Sequence, residues 1–132
     1  MPVTALYAGV LAALFFVLSI RVIGARRAAR IALGHGDDAA LLRRMRVHAN
    51  FAEYAPFALL LMALAESNGA PRLALHVIGA VLVFGRFMHA FGVSQANETI
   101  RLRVIGMAST FTAIAGGAVA CLVYAAQRVF EG

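Results

Sequence analysis

Lysine and tryptophan are absent from the 132 residues, and the twelve basic side chains are all arginines. Only six acidic residues oppose them, which leaves a net charge of +6. A balance that basic invites a nucleic-acid partner. The arginines stand at the ends of apolar runs, however, which is the pattern of the positive-inside rule, and no nucleic acid is expected. A single cysteine, Cys121, rules out a disulfide within the chain. It lies in an apolar run and reads as a small buried hydrophobe. Two candidate ligands in one loop, His35 and Asp37, are too few to hold a metal, so no metal is expected. The first residues lack the basic start and cleavage site of a signal peptide, so the first apolar run is expected to persist as a helix.

What the chain has in abundance is apolar sequence. Hydrophobic residues make up 62% of it, well above the roughly 45–50% of soluble domains. Val3 to Ile20 is interrupted only by Thr4, Gly9 and Ser19, and Val104 to Ala126 carries no charge. Runs of about 18 or more apolar residues mark membrane helices. The runs are continuous rather than alternating, which disfavours a β-barrel. The expected fold is an all-α integral membrane four-helix bundle forming one domain over residues 1–132. Its helices are expected at about 3–30, 39–66, 72–94 and 100–128. GHGDD (34–38) is a breaker with a helix N-cap at Asp37 or Asp38, SNGAP (67–71) is a tight turn, and QANET (95–99) is a short polar link.

The arginines orient the bundle. Arg21, Arg26, Arg27, Arg30, Arg43, Arg44 and Arg46 surround the first loop, and Arg101 and Arg103 flank the third. Arg72 and Arg128 mark the other side. Loops one and three are expected to face the cytoplasm, in a bacterial inner membrane. On the last helix, Ala113, Gly117 and Cys121 form one small-residue row, and Thr112, Gly116 and Ala120 another. Both rows read as surfaces for close helix packing.

Polar groups inside the spans carry the functional reading. In RVHANFAEYAPF (46–57), Arg46, Asn50 and Glu53 are spaced by four and three and share a helix face, which Arg43 extends. The apolar run after them is too short to span the bilayer by itself, so Asn50 and Glu53 fall at membrane depth. Arg86 and His89 repeat the pattern on the third helix. Arg86 keeps its proton at any ordinary pH and needs a partner, for which Glu53 is the expected carboxylate. Such groups point at a bundle interior, a partner subunit or a wet cavity. A structural ion-pair network competes with a ligand site here. A ligand for this set is anionic, with a cationic group to meet Glu53. Glutathione, with two carboxylates and an ammonium, is one such molecule, although composition does not single it out.

The stretch RVHANFAEYAPF also resembles the signature of the MAPEG family, the membrane-associated proteins of eicosanoid and glutathione metabolism. Arg46, Asn50, Glu53, Tyr54 and Pro56 sit at the family's spacing, and the four helices and arginine-rich first loop match in order. ARRAAR (25–30) resembles the end of helix one, and GRFMH (85–89) a helix-three segment, in some members. The resemblance implies a homotrimer that binds glutathione between subunits and acts on a lipophilic small molecule entering from the lipid bilayer. Arg46, Asn50, Glu53 and Tyr54 are then expected to hold the tripeptide, with Arg26, Arg86 and His89 adding contacts. Arg103 is expected to stabilise the thiolate, with Arg101 its competitor. Val93 stands where the family has a second helix-three tyrosine, and His48 and Ala49 fill positions that are polar or basic in some members.

The leading expectation is thus a glutathione-dependent transferase or peroxidase that works by thiolate attack and serves in detoxification. A non-catalytic scaffold of the same fold, or a small proton-coupled transporter that uses Glu53, are the alternatives. Arginines around Glu53 argue against a cation site.

Overall fold

The computed structural model describes residues 1–95 and 99–131. It contains four helices: α1 (Pro2–Ala29), α2 (Ala39–Ser67), α3 (Arg72–Ser94) and α4 (Ile100–Glu131). All four are long and apolar enough to cross a membrane. They start and stop close to where the sequence places them, and α4 runs on past the expected end at Arg128. Residues 96–98 of the QANET link lie outside the described residues.

The helix ends follow from local chemistry. Arg30 adopts a left-handed φ of 55° after α1, and its N–H closes on the carbonyls of Arg26 and Arg27. Asp38 caps α2, its carboxylate accepting from the N–H groups of Ala40 (2.8 Å) and Leu41 (3.0 Å). Asp37, the other candidate, takes a left-handed φ of 62° in the loop instead. The α2–α3 turn needs Gly69 at φ 94°, and Pro71 opens α3.

Each helix of the bundle touches its neighbours in the order α1, α2, α4, α3 and back to α1. α2 and α3 also meet across the centre, whereas α1 and α4 do not touch among the described residues. The two ends differ in chemistry. At the arginine-poor end, Glu66 caps α1, its two carboxylate oxygens accepting from the N–H groups of Val3 (3.0 Å) and Thr4 (2.8 Å). Tyr7 lies over Gly79 and donates its hydroxyl to the His76 carbonyl at 2.9 Å, which ties α1 to α3. Of the small residues of α4, Gly117 lies against Leu61 and Gly116 against Ile78, and the partly buried Cys121 thiol donates to the Leu61 carbonyl at 2.9 Å, whereas Thr112 is exposed.

The tightest contact is between α3 and α4, one turn below the arginine-rich end. A Cβ on Gly106 would fall on the His89 backbone nitrogen, 2.7 Å from the His89 Cα and 2.8 Å from the Gly85 carbonyl oxygen. A Cβ on Gly85 would stand 2.9 Å from the Gly106 carbonyl oxygen, the Thr110 nitrogen and the Thr110 hydroxyl. Two backbones in contact leave nothing flexible to yield, and small residues are what permit such an approach in lipid. This contact sets the positions of Arg86 and His89 relative to Arg103 and Thr110. Gly106→Ala is expected to cost about 1–3 kcal/mol through overpacking. Gly9→Ala, whose added Cβ meets nothing within 4 Å, is expected to leave the fold intact or slightly firmer. Thermal melting of the two variants in detergent checks the contrast.

Candidate functional site

The most buried charged side chain is Arg86, 1% exposed in the middle of the bundle. From α3 its guanidinium reaches α4 beside it and α2 across the centre. Nε donates to the Thr110 hydroxyl at 2.9 Å, Nη1 to the Asn50 amide oxygen at 2.8 Å, and Nη2 to the Met107 sulfur at 3.4 Å. Thr110 passes its own proton to the Gly106 carbonyl at 2.8 Å. The Tyr54 ring lies 5.8 Å from the guanidinium carbon and meets Phe111 edge-on, which adds a cation–π contact. The partner expected from the sequence, Glu53, is not in this set. Asn50 occupies the place because α2 turns its position 50 towards α3 and leaves position 53 on the exposed side.

The Arg86–Asn50 bond has a consequence for the space in front of it. With its amide oxygen committed to the guanidinium, Asn50 has its NH2 group left to offer. That group borders a cavity of about 320 Å³ at the arginine-rich end. Arg43, Arg46 and Asn50 line it from α2, His89 and Val93 from α3, and Arg103 from α4. Its described lining holds three guanidiniums and no carboxylate. Cationic donors at the edge of a low-dielectric bundle favour an anionic occupant.

Four residues singled out in the sequence therefore meet in one cavity: Arg46, Asn50, His89 and Arg103. Arg86 and Tyr54 are not part of the cavity lining: Arg86 holds Asn50, and the Tyr54 ring lies against the Arg86 guanidinium. Three others lie elsewhere in the chain. Arg101 is two residues from Arg103, hence on the far side of α4, and is exposed. Arg26 turns back onto the first loop, donating to the carbonyls of Ala32 (3.2 Å) and Gly34 (2.9 Å) and to the Met45 sulfur (3.4 Å). It belongs to α1, which is diagonal to α4. Glu53 is exposed at the midpoint of α2, on the face of Arg46, among exposed Phe57, Leu60 and Leu64. Thr110 and Met107 were not foreseen as polar partners. Only the small-residue character of that α4 face hints at them.

If Asn50 is the acceptor that makes a buried guanidinium tolerable, its chemistry is testable. Asn50→Leu is expected to destabilise the fold by about 1.5–3 kcal/mol, the worth of a hydrogen bond to a charged group. Asn50→Asp gives Arg86 a counter-charge and is expected to melt at or above the wild-type temperature. Detergent melts of both variants decide it, and equal losses in the two would contradict the pairing.

Comparison with known proteins agrees with this architecture. The model of the MAPEG family matches residues 4–123. The inner membrane protein YecN of Escherichia coli strain K12 is 38% identical over 112 residues, covering 85% of this chain and 84% of its own length. YecN of E. coli strain O6:H1 matches to the same extent. The inner-membrane placement expected from the sequence accords with that relative's description, and the four spanning helices make the chain an integral membrane protein. With the family model covering nearly the whole chain, and a relative 38% identical over 85% of it, the protein belongs to the MAPEG family.

Proposed function

We propose that the chain is a membrane-embedded, glutathione-dependent transferase or peroxidase acting on lipophilic electrophiles. The observation that carries this reading is the cavity itself, in which Arg46, Asn50, His89 and Arg103 converge at one membrane face. Its volume lies at the small end of the ~300–1,000 Å³ typical of ligand pockets. Guanidiniums grip carboxylates in bidentate fashion, and the Asn50 NH2 adds a neutral donor. Arg103, at the α4 wall, is the group to favour thiolate over thiol electrostatically. The thiolate sulfur then attacks the electrophilic carbon, and the leaving group departs with its electron pair. The positive-inside pattern supports a cytoplasmic position for the cavity.

Glu53 supports the assembly implied by the family resemblance, a homotrimer. A carboxylate at the centre of a spanning helix costs roughly 2.5–3.5 kcal/mol against lipid. A second copy laid over the Arg46–Glu53 face removes that cost and brings Glu53 to a site between subunits. There it meets the ammonium of the tripeptide. Arg26 and Arg101, remote from the cavity within one chain, reach it in this reading only from a neighbouring copy.

Val93 favours a second reading, binding without catalysis, because it presents an apolar surface to the cavity where other members have a tyrosine hydroxyl. Millimolar glutathione is expected to raise the melting temperature of the purified protein, and Glu53→Ala and Arg46→Ala to remove the shift. The ultraviolet thiolate band of bound glutathione is expected in wild type and not in Arg103→Ala. A melting shift without a thiolate band supports the scaffold. No shift at all contradicts both readings.

A further inference from the structure

On the opposite side of the bundle from the α2–α4 wall, a groove of about 370 Å³ lies between α1 and α3 in their arginine-rich halves. Leu14, Val17, Phe87 and Phe91 line its deeper part, and Arg21 and Ser94 stand at its mouth. Val17, Phe87 and Phe91 are exposed. The mouth is built from three helices. The Arg21 guanidinium crosses from α1 to α3 and donates to the Ser94 hydroxyl at 3.2 Å. Arg44 of α2 comes alongside, its Nη1 donating to the Arg21 carbonyl at 3.4 Å. Among the described residues, neither this groove nor the narrow cleft behind it, between Arg21, Arg44 and Ser94, has a carboxylate in its lining.

Depth gives the groove its chemistry. Arg21 is nineteen residues from Pro2 at the start of α1, about 28 Å along the helix. That is close to the ~30 Å hydrocarbon thickness, so its guanidinium sits at headgroup level. Leu14 is two turns deeper, about 10 Å into the hydrocarbon. Two cations at the phosphate level, above an apolar trough that runs inward, match one molecule in charge and shape. We propose that the α1–α3 groove seats an anionic phospholipid, its phosphate between Arg21 and Arg44 and one acyl chain along Val17, Phe87 and Phe91. Arg27 and Arg30 lie about two turns or more beyond this level and serve as a diffuse basic belt. The site is independent of the glutathione reading, since it shares no residue with the α2–α3–α4 cavity.

Native mass spectrometry of the detergent-solubilised protein tests this, with phosphatidylglycerol and phosphatidylcholine of identical acyl chains titrated separately. Wild type is expected to retain phosphatidylglycerol in preference to phosphatidylcholine. Each interfacial arginine is worth about fivefold towards an anionic lipid, so Arg21→Gln and Arg44→Gln are each expected to weaken phosphatidylglycerol retention about fivefold. Phosphatidylcholine retention stays unchanged. Both side chains are exposed, so folding is expected to survive, and either variant reads the site if the other misfolds. Arg27→Gln is expected to change neither lipid. Millimolar sn-glycerol 3-phosphate is expected not to displace phosphatidylglycerol, because the groove contributes through the chain. Equal retention of the two lipids by wild type overturns the proposal. So does an Arg27→Gln loss as large as that of Arg21→Gln, or displacement by glycerol phosphate alone.

Discussion

A guanidinium shut inside a membrane bundle is the constraint around which this structure is arranged. Arg86 cannot shed its proton, and it is buried among the helices with neutral partners. An amide, a hydroxyl, a thioether and an aromatic face compensate it together, and they come from two different helices. Satisfying that one charge locks α2 and α4 onto α3 at a fixed height. It also fixes which end of the Asn50 amide faces the cavity. The Asn50 donor thus follows from how the core solves its own electrostatic problem, and it joins the guanidiniums of Arg43, Arg46 and Arg103.

Packing of small residues makes this arrangement reachable. Arg86 can bond to Thr110 because Gly85 and Gly106 allow the α3 and α4 backbones to touch. The same contact brings His89 on α3 and Arg103 on α4 to one cavity wall. α1 has a different role. Out of contact with α4, it closes the bundle on the far side, where Arg21 and Tyr7 bond to α3 and Ser19 to α2. The α2–α3–α4 unit thus carries the site, and α1 presents arginines to the membrane surface.

Much of this was legible in the sequence, and what was not has a geometric reason. Four spans, their boundaries and the uneven arginine distribution are one-dimensional signals, and the structure places the helices accordingly. The grouping of Arg46, Asn50, His89 and Arg103 at one end follows from helix direction and depth alone. Rotation of one helix against another is not written in the spacing. Asn50 and Glu53 share a face by sequence, yet the 60° between them decides which one meets Arg86. Arg101 and Arg103 were equivalent candidates by depth, and the α4 orientation separates them. The Gly85–Gly106 contact was hidden because a glycine in an apolar run signals a close approach without naming its partner. Glu53 remains the informative exception. Its exposure on a single chain conflicts with membrane depth, a conflict that the proposed second copy over this face would resolve.

The central claim is that the arginine-rich cavity between α2, α3 and α4 is where the protein takes its anionic, thiol-bearing ligand. A density map of the membrane protein purified with saturating glutathione addresses it most directly. The account predicts a tripeptide in that cavity, with a carboxylate against Arg46, the Asn50 NH2 group within hydrogen-bond reach, and the sulfur turned towards Arg103. A cavity without the tripeptide in a map that resolves these side chains, or a tripeptide bound away from them, would contradict it.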